Sequence, residues 1–380
     1  MDVRFSEEQR LLKESAREFL ETECPMSRVR QAMDDPTPVV SDLWKKMAKL
    51  GWTGLVIAEE HGGAGLGWID LAVVMEEMGR ALAPTPFLWS AVLASEAIGL
   101  GADAEQQARW LPDLADGSQR ATLAVLESAA SWSPDDLVLE ATPEPDGGWC
   151  LRGLKRFVAD AVGADWLLVP ARDPSGLALY RVATGAPGVQ IRRHAHLDET
   201  RAMSEVGFDR VTVGADARFD AGGAAEAMLE RLFDAGRAAL SAEMVGAAER
   251  VLELSVDYAK NREQFGRPIG AFQAIAHRCA DMLVHVETAR SAAYYAAWAL
   301  AAAAPEARTA CLLAKSHCAE AFSAVAGEGI QIHGGLGFTW EQDLHLYYKR
   351  ALADEQALGD PTWCRERAAR LVIDGGAPAP

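Results

Sequence analysis

Three zones of hydrophobic patterning follow one another along the chain. From Ser6 to about residue 117 the apolar positions recur with helical spacing. Ser6 followed three residues later by Gln9 predicts a capping box that begins an amphipathic helix. Further helical stretches are predicted over residues 43–50, 68–82 and 88–98.

The second zone begins at about residue 121 and has the texture of short strands. Runs rich in β-branched and aromatic residues alternate with turn signals, and Asp146-Gly147-Gly148 is a hairpin candidate. Several short strands within about 100 residues predict a small antiparallel barrel or sandwich.

The third zone, from residue 221 onward, is helical again. Long helical patterns are predicted over residues 224–258, 270–304, 306–332 and 343–373. Four long helices predict an up-down bundle. The expected fold class is therefore mainly α with a central β domain. Its domains are an N-terminal helical domain (1–119), a middle β-barrel domain (120–220) and a C-terminal four-helix bundle (221–380).

The overall charge excludes some classes of partner. Lys and Arg number 37 against 55 Asp and Glu, which gives a net charge of −18. Such a chain repels polyphosphate, so we expect neither nucleic acid nor an anionic membrane as a partner. The longest apolar stretch, 291–304, is mostly alanine and too short to span a bilayer. The start of the chain is charged throughout and the six cysteines form no CxxC pair, which together predict a cytoplasmic protein.

The densest polar cluster lies at residues 258–273, between two predicted helices. Lys260, Arg262 and Arg267 form a local basic site, and Phe265 offers a stacking face. An arginine fork binds phosphate oxygens bidentately, so the cluster fits a phosphate-bearing ligand. A solvated loop between helices fits the same residues.

A second cluster, QIHGGLGF, covers residues 331–338. Its glycines, Gly334, Gly335 and Gly337, would allow a ligand to approach the backbone closely. It does not follow a strand, so it is not a Rossmann fingerprint. A helix C-cap followed by a turn is the alternative. The histidines lack HxxxH and HExxH spacing, and no metal site is predicted.

Taken together, these features resemble the acyl-CoA dehydrogenase family. The likeness rests on R-x-Q-F-G-x-P-I-x-x-F-Q (262–273) followed by Q-x-x-G-G-x-G (331–337), and it extends to FSEEQRLLKESAREFL near the start. The resemblance implies a dimer of dimers, FAD as cofactor and oxidation of the Cα–Cβ bond of an acyl-CoA. In this family a carboxylate takes the α-proton, a β-hydride passes to the flavin, and an electron-transfer flavoprotein receives the electrons.

The resemblance also implies roles for individual residues. One set would contact the adenosine-diphosphate half of an FAD that lies mainly in the neighbouring subunit: Arg262, Gln264, Phe265, Gln273, Gln331, Gly334 and Gly335. Asp234 and Arg237 match family positions near the acyl-CoA chain.

The chain departs from the family where the flavin ring is held. The family's T-E-P-x-x-G-S-D corresponds to residues 126–133, where only Glu127 is identical. Its W-I-T or W-I-S is here Phe157-Val158-Ala159, and Ala159 has no hydroxyl to donate.

The family's catalytic Glu is also missing. Its two known positions fall at Gly236 and Leu358, and neither side chain can accept a proton. Asp354 and Glu355 share the helical face of Leu358 but lie about 4.5–6 Å away along the axis.

Three hypotheses remain open at this point. The chain is a partner subunit that completes the FAD site of a heteromeric enzyme; or a self-sufficient dehydrogenase that uses Asp354 or Glu355; or a non-enzymatic protein that binds acyl-CoA or serves assembly. The first assigns the missing carboxylate to another chain. Independently of these hypotheses, the long helix faces bury more than one chain covers, so an oligomer is expected.

Overall fold

The computed structural model describes residues 5–34, 36–127, 131–220, 222–373 and 375, with positions 36–39 given by their backbone alone. Ser128, Ala129 and Ala130, which belong to the predicted flavin cradle, lie outside the described residues.

The N-terminal zone is helical, as predicted. Its helices are α1 (Glu7–Glu23), α2 (Met26–Asp34), α3 (Pro36–Lys49), α4 (Trp68–Arg80), α5 (Ser95–Gly101) and α6 (Ala104–Ala115). The capping box is confirmed, since Ser6 Oγ accepts the Gln9 amide at 3.2 Å and Gln9 Oε1 accepts the Ser6 amide at 3.1 Å. The helix predicted over 88–98 differs, because a π-helix (Phe87–Ala94) precedes α5.

The middle zone forms one sheet. Its strands are β1 (Ala121–Leu123), β2 (Glu140–Pro143), β3 (Trp149–Ala159), β4 (Trp166–Asp173), β5 (Gly176–Ala183), β6 (Val189–His194), β7 (Met203–Val213) and β8 (Arg218–Phe219). The order is β6-β7-β3-β2-β4-β5-β8, with β1 paired to β4. The pairs are antiparallel except β1–β4 and β2–β4, which are parallel. Pro143 pairs with Trp149, which confirms the hairpin predicted at Asp146-Gly147-Gly148.

The last zone contains the long helices. They are α7 (Ala225–Asn261), α8 (Gln273–Ala301), α9 (Ala307–His333), α10 (Leu344–Gln356) and α11 (Pro361–Ile373), and a small hairpin of β9 (Glu263–Gln264) and β10 (Arg267–Pro268) follows α7. The single helix predicted over 343–373 is wrong. Leu358 has a φ of +60°, and Asp360 caps α11 by accepting the Thr362 and Trp363 amides. The fold class, mainly α with a central β domain, is confirmed.

The chain divides into two compact units. Unit 1 comprises Met1–Arg30, Trp68–Ala83 and Arg237–Pro380, and unit 2 comprises Gln31–Gly67 and Pro84–Gly236. The three domain boundaries given above stay a prediction. A search of the described helices finds none that combines the length and the apolar character needed to cross a membrane.

In unit 1, α4 crosses α7 without room for side chains. A Cβ on Gly79 would lie 1.8 Å from the Glu243 carbonyl oxygen, and a Cβ on Gly246 would lie 1.7 Å from that of Glu76. The backbones therefore touch at this point, which only glycine permits.

Candidate cofactor site

The first predicted segment forms a tight hairpin at the end of α7. Gln264 pairs with Arg267 and Glu263 with Pro268 across a two-residue turn. Phe265 and Gly266 both have positive φ, +55° and +78°, as a turn of this twist requires. The Phe265 ring at the tip is 92% exposed. A fully formed hairpin thus presents an aromatic face to its surroundings.

The polar side chains of this segment are also exposed. Within the part of the chain that the structure describes, the Arg262 guanidinium forms neither an ion pair nor a hydrogen bond. Arg267 lies over the Phe272 ring at 4.1 Å. Among the described residues, the Gln264 side chain donates to one acceptor, the neighbouring Glu263 carbonyl, at 2.8 Å. Arg262 is therefore available to bind an anion.

The second predicted segment, 331–338, spans the end of α9 at His333. Gly334 has a φ of +60°, which favours glycine, and its amide donates to the Gln331 carbonyl. A Cβ on Gly334 or Gly335 would meet no atom within 4 Å, so this backbone faces open space. Gly337 differs, because a Cβ there would lie 2.8 Å from the Ile330 carbonyl oxygen. Gly334 and Gly335 leave room for a ligand, whereas Gly337 serves packing.

An aromatic pair joins the two segments. The Tyr258 and His333 rings stack at 4.1 Å between centroids, with an interplanar angle of 23°. His333 is buried and its Nδ1 bonds to the Gly329 carbonyl at 2.9 Å. Burial lowers the pKa of His333, which keeps the ring neutral at pH 7. Neither ring is among the site residues predicted from the sequence. The available signals were a tyrosine one turn before Arg262 and a histidine directly before the glycines.

In unit 2, the residue that matches the family's flavin motif is used internally. The Glu127 carboxylate accepts Lys155 Nζ at 2.5 Å and the Val138 and Leu139 amides at 2.8 and 3.0 Å. Lys155 is fully buried and also donates to the Val125 carbonyl. Glu127 therefore ties the 137–139 segment to β3.

At the positions where the family's two motifs carry hydroxyl groups, this chain has Leu126, Trp132 and Ala159. Trp132 is buried, stacked with Trp89 at 6.4 Å and edge-on to Phe233 at 5.6 Å. Leu126 and Ala159 are buried as well, and neither side chain has a donor. Phe157 is half exposed with a φ of +51°. The positions where the family's motifs carry hydroxyl groups thus lack them here, whereas the hydroxyls of Ser131 and Ser133 bond to Asp136 and Asp135.

The loop between α10 and α11 carries the first base position. The Leu358 side chain is completely buried, and its carbonyl accepts a hydrogen bond from Arg237 Nε at 2.9 Å. Lys315, also fully buried, donates to the carbonyls of Glu355 and Gly359 at 3.0 and 2.9 Å. Burial lowers the pKa of Lys315 to about 8. Two buried cations therefore hold this loop by its carbonyl groups.

The side chains of the remaining candidate acids and substrate residues are buried or form contacts within this chain. Asp354 is buried in α10, and the Glu355 carboxylate accepts the Ser323 hydroxyl at 3.1 Å. Asp234 is buried in unit 2, and Arg237 is engaged with Leu358 in unit 1. A role of Asp234 and Arg237 toward an acyl chain stays a prediction, as does the cofactor role of the exposed residues.

Comparison with known proteins decides the family. Two domain families match this chain. The family described as "Acyl-CoA dehydrogenase, N-terminal domain" matches residues 6–118, and the one described as "Acyl-CoA dehydrogenase, C-terminal domain" matches residues 221–372. The acyl-CoA dehydrogenase IpdE2 of Mycolicibacterium smegmatis is 34% identical over 97% of this chain and 99% of its own length. The chain belongs to the acyl-CoA dehydrogenase family. It is accordingly an FAD-dependent oxidoreductase by family, and FAD is its cofactor.

The names of two similar solved structures each join two designations. The ChsE4-ChsE5 complex from Mycobacterium tuberculosis contains a chain that superposes with a TM-score of 0.89 and 29% identity. The match covers 100% of this chain and 100% of that chain. A variant of the Tcur3481-Tcur3483 steroid ACAD gives a TM-score of 0.86 and 32% identity, over 98% of this chain and 99% of that one.

The described residues fit FAD unevenly. Arg262, the open backbone at Gly334 and Gly335, and the exposed Phe265 ring suit a pyrophosphate and a flat base. Leu126 and Ala159 offer no side-chain hydrogen bond to an isoalloxazine ring. The chemistry of these residues therefore suits a diphosphate and a base better than an isoalloxazine ring, and their role toward FAD stays a prediction.

Proposed function

We propose that this chain is the FAD-completing subunit of a heteromeric acyl-CoA dehydrogenase. The enzyme would oxidise the Cα–Cβ bond of an acyl-CoA thioester to the trans-2-enoyl-CoA. The homologous partner would supply the catalytic carboxylate and the isoalloxazine cradle. This chain would supply Arg262, Phe265 and residues 331–335 to the adenosine side.

One observation carries the proposal. The position that should hold the base is a buried leucine whose carbonyl is occupied by Arg237, and the alternative position is Gly236. Neither can take a proton from a substrate carbon. The adenosine-side residues, by contrast, are intact and exposed. A chain that keeps one half of a site and lacks the other is explained by a partner that has the missing half.

The relatives support the same assignment. The names of the ChsE4-ChsE5 complex and of the Tcur3481-Tcur3483 steroid ACAD each join two chains, and the latter name specifies a steroid substrate. We therefore propose an acyl-CoA with a steroid-derived acyl group, a dimer of dimers as the assembly, an electron-transfer flavoprotein as the electron acceptor, and the cytoplasm as the location.

The chemical contribution of this chain is binding and orientation. FAD, when bound, accepts the hydride that leaves the β-carbon. The Arg262 guanidinium donates hydrogen bonds to phosphate oxygens, and the Phe265 ring stacks on a base. Gly334 and Gly335 let the dinucleotide approach the backbone. Together these contacts fix the cofactor's position without touching the reacting carbons.

The test is to count FAD per chain and to measure acyl-CoA oxidation for the chain alone and for the chain co-expressed with a dehydrogenase homologue from the same genome. We expect almost no flavin and no oxidation alone, and yellow, active complex with the partner. In that complex Phe265→Ala should lower FAD content, while Glu355→Gln should leave oxidation unchanged.

The opposite result has a clear form. About one FAD per chain in the protein expressed alone, with oxidation that disappears in Glu355→Gln, contradicts the proposal and identifies a self-sufficient enzyme. Colourless protein with every tested partner contradicts it too, and leaves a non-enzymatic binding protein.

A further inference from the structure

We propose that Tyr258 and His333 are positioning residues that hold the two halves of the adenosine side of the FAD site at a fixed separation. The inference rests on the proposed function, in which this chain supplies that side. It concerns two residues that do not themselves form the exposed surface of either segment.

Each ring belongs to a residue that adjoins the ligand-facing residues of one half. Tyr258 precedes Arg262 by one helical turn, and the Arg262 amide donates to the Tyr258 carbonyl at 2.8 Å. His333 lies between Gln331 and Gly334, whose backbone groups bond to one another across it. A movement of either ring therefore moves the ligand-facing residues of its half.

The histidine is fixed more firmly than the tyrosine. Its Nδ1 is bonded to the Gly329 carbonyl, so in the neutral ring Nδ1 carries the proton and donates. The ring is buried and stacks on that of Tyr258 with 23° between the ring planes. His333 thus provides a rigid flat surface, and Tyr258 attaches the end of α7 to it.

The exposed residues cannot set this separation themselves. Phe265 contacts only Phe272 edge-on, at 6.1 Å, among the ring pairs of the described residues. Arg262 forms no side-chain bond within the described residues. A pyrophosphate held from two sides requires both sides in register before it binds, because ordering them afterwards reduces affinity. The Tyr258–His333 stack provides that register.

The experiment uses the purified assembly that holds FAD, stripped of flavin, and measures dissociation constants for FAD, ADP and FMN. The variants are Tyr258→Ala, Tyr258→Phe and Tyr295→Ala. Tyr295 is the matched control, because its ring also stacks, on Trp298 at 5.7 Å and 25°, in the same unit. Thermal unfolding of each variant reports stability separately.

We expect Tyr258→Ala to weaken FAD and ADP by about threefold to tenfold, the value of one lost aromatic pair, and to leave FMN unchanged. Tyr258→Phe keeps the ring and should bind all three ligands like the wild type. Tyr295→Ala should change none of them. If Tyr258→Ala fails to fold, Tyr258→Leu keeps the volume without the aromatic face and carries the same expectation.

Two outcomes overturn the inference. Unchanged ADP affinity in Tyr258→Ala would do so, as would equal weakening of ADP and FMN, which indicates a general structural role. Phe265→Ala separates this failure from that of the proposed function. If Phe265→Ala weakens ADP while Tyr258→Ala does not, only the positioning role is wrong; if neither weakens ADP, this chain does not supply the adenosine side at all.

Discussion

Single buried charges shape the regions where this chain departs from its family. Lys155 is held by Glu127, and Lys315 is held by two backbone carbonyls beside Leu358. Burial lowers the pKa of each lysine to about 8. Both cations tie loops to neighbouring elements. Glu127 and the Leu358 loop, which match the family's flavin and base positions, therefore make internal contacts in this chain.

The buried Lys315 predicts a pH-dependent stability difference. Its folded pKa is about 8, below the value of 10.5 for an unperturbed lysine, so between these values the unfolded chain binds more protons. The free energy of unfolding therefore rises with pH in this window. We expect the difference between wild type and Lys315→Met to shift in favour of the wild type by about 2 kcal/mol from pH 7 to 9.5.

Urea unfolding at the two pH values measures this difference directly. Lys45→Met removes an exposed lysine and is the control, with an expected change below about 0.5 kcal/mol at either pH. A difference for Lys315→Met that stays constant from pH 7 to 9.5 would show that burial does not lower its pKa.

At the scale of elements, close backbone contact decides how helices meet in unit 1. The crossing of α4 and α7 is made by Gly79 and Gly246, each against a carbonyl of the other helix. Glycine normally weakens a helix interior by about 1 kcal/mol relative to alanine, so its use in the middle of α7 has a packing reason.

Gly246→Ala should destabilise the protein by about 3 kcal/mol or more, because a Cβ 1.7 Å from the Glu76 carbonyl oxygen forces the two backbones apart. Gly99→Ala is the matched control in α5, where a Cβ meets no atom within 4 Å; it should be neutral or stabilising by up to about 1 kcal/mol. Chemical denaturation compares them. Equal stability of the two variants would mean that the helices do not cross this closely.

At the scale of the whole molecule, helix α8 exposes apolar side chains although the chain as a whole is strongly acidic. The net charge is −18, yet Leu283 and Val284 of α8 are 50% and 61% exposed. The first half of α8 carries mostly exposed positions, whereas buried and half-buried positions predominate in its second half. A second subunit that covers the first half would remove this apolar surface from water, in keeping with the proposed assembly.

Leu283→Asp should therefore lower the sedimentation mass of the purified assembly, because a carboxylate at an apolar interface is left without a partner. Leu11→Asp changes a leucine that is 59% exposed on α1 and should leave the mass unchanged. A wild-type chain that sediments as a monomer with every tested partner would contradict this interface.

The amino-acid sequence by itself determined the elements that depend on neighbouring residues. The capping box at Ser6, the hairpin around Gly147 and three of the four predicted long helices follow from side-chain spacing over a few positions, and the structure has them. The two glycine and arginine segments could also be recognised, since each is continuous in the chain. Local patterns carry this information because caps, turns and periodicity involve residues within one or two turns of each other.

Only the tertiary structure decided which of these residues lie together and which are enclosed. It stacked Tyr258 on His333, separated the packing role of Gly337 from the open backbone of Gly334, and buried Trp132 against two other rings. It also broke the last predicted helix at Leu358, where Arg237 from α7 binds the carbonyl. These contacts join residues far apart in the chain, and periodicity does not encode them because they depend on how packed helices and strands meet.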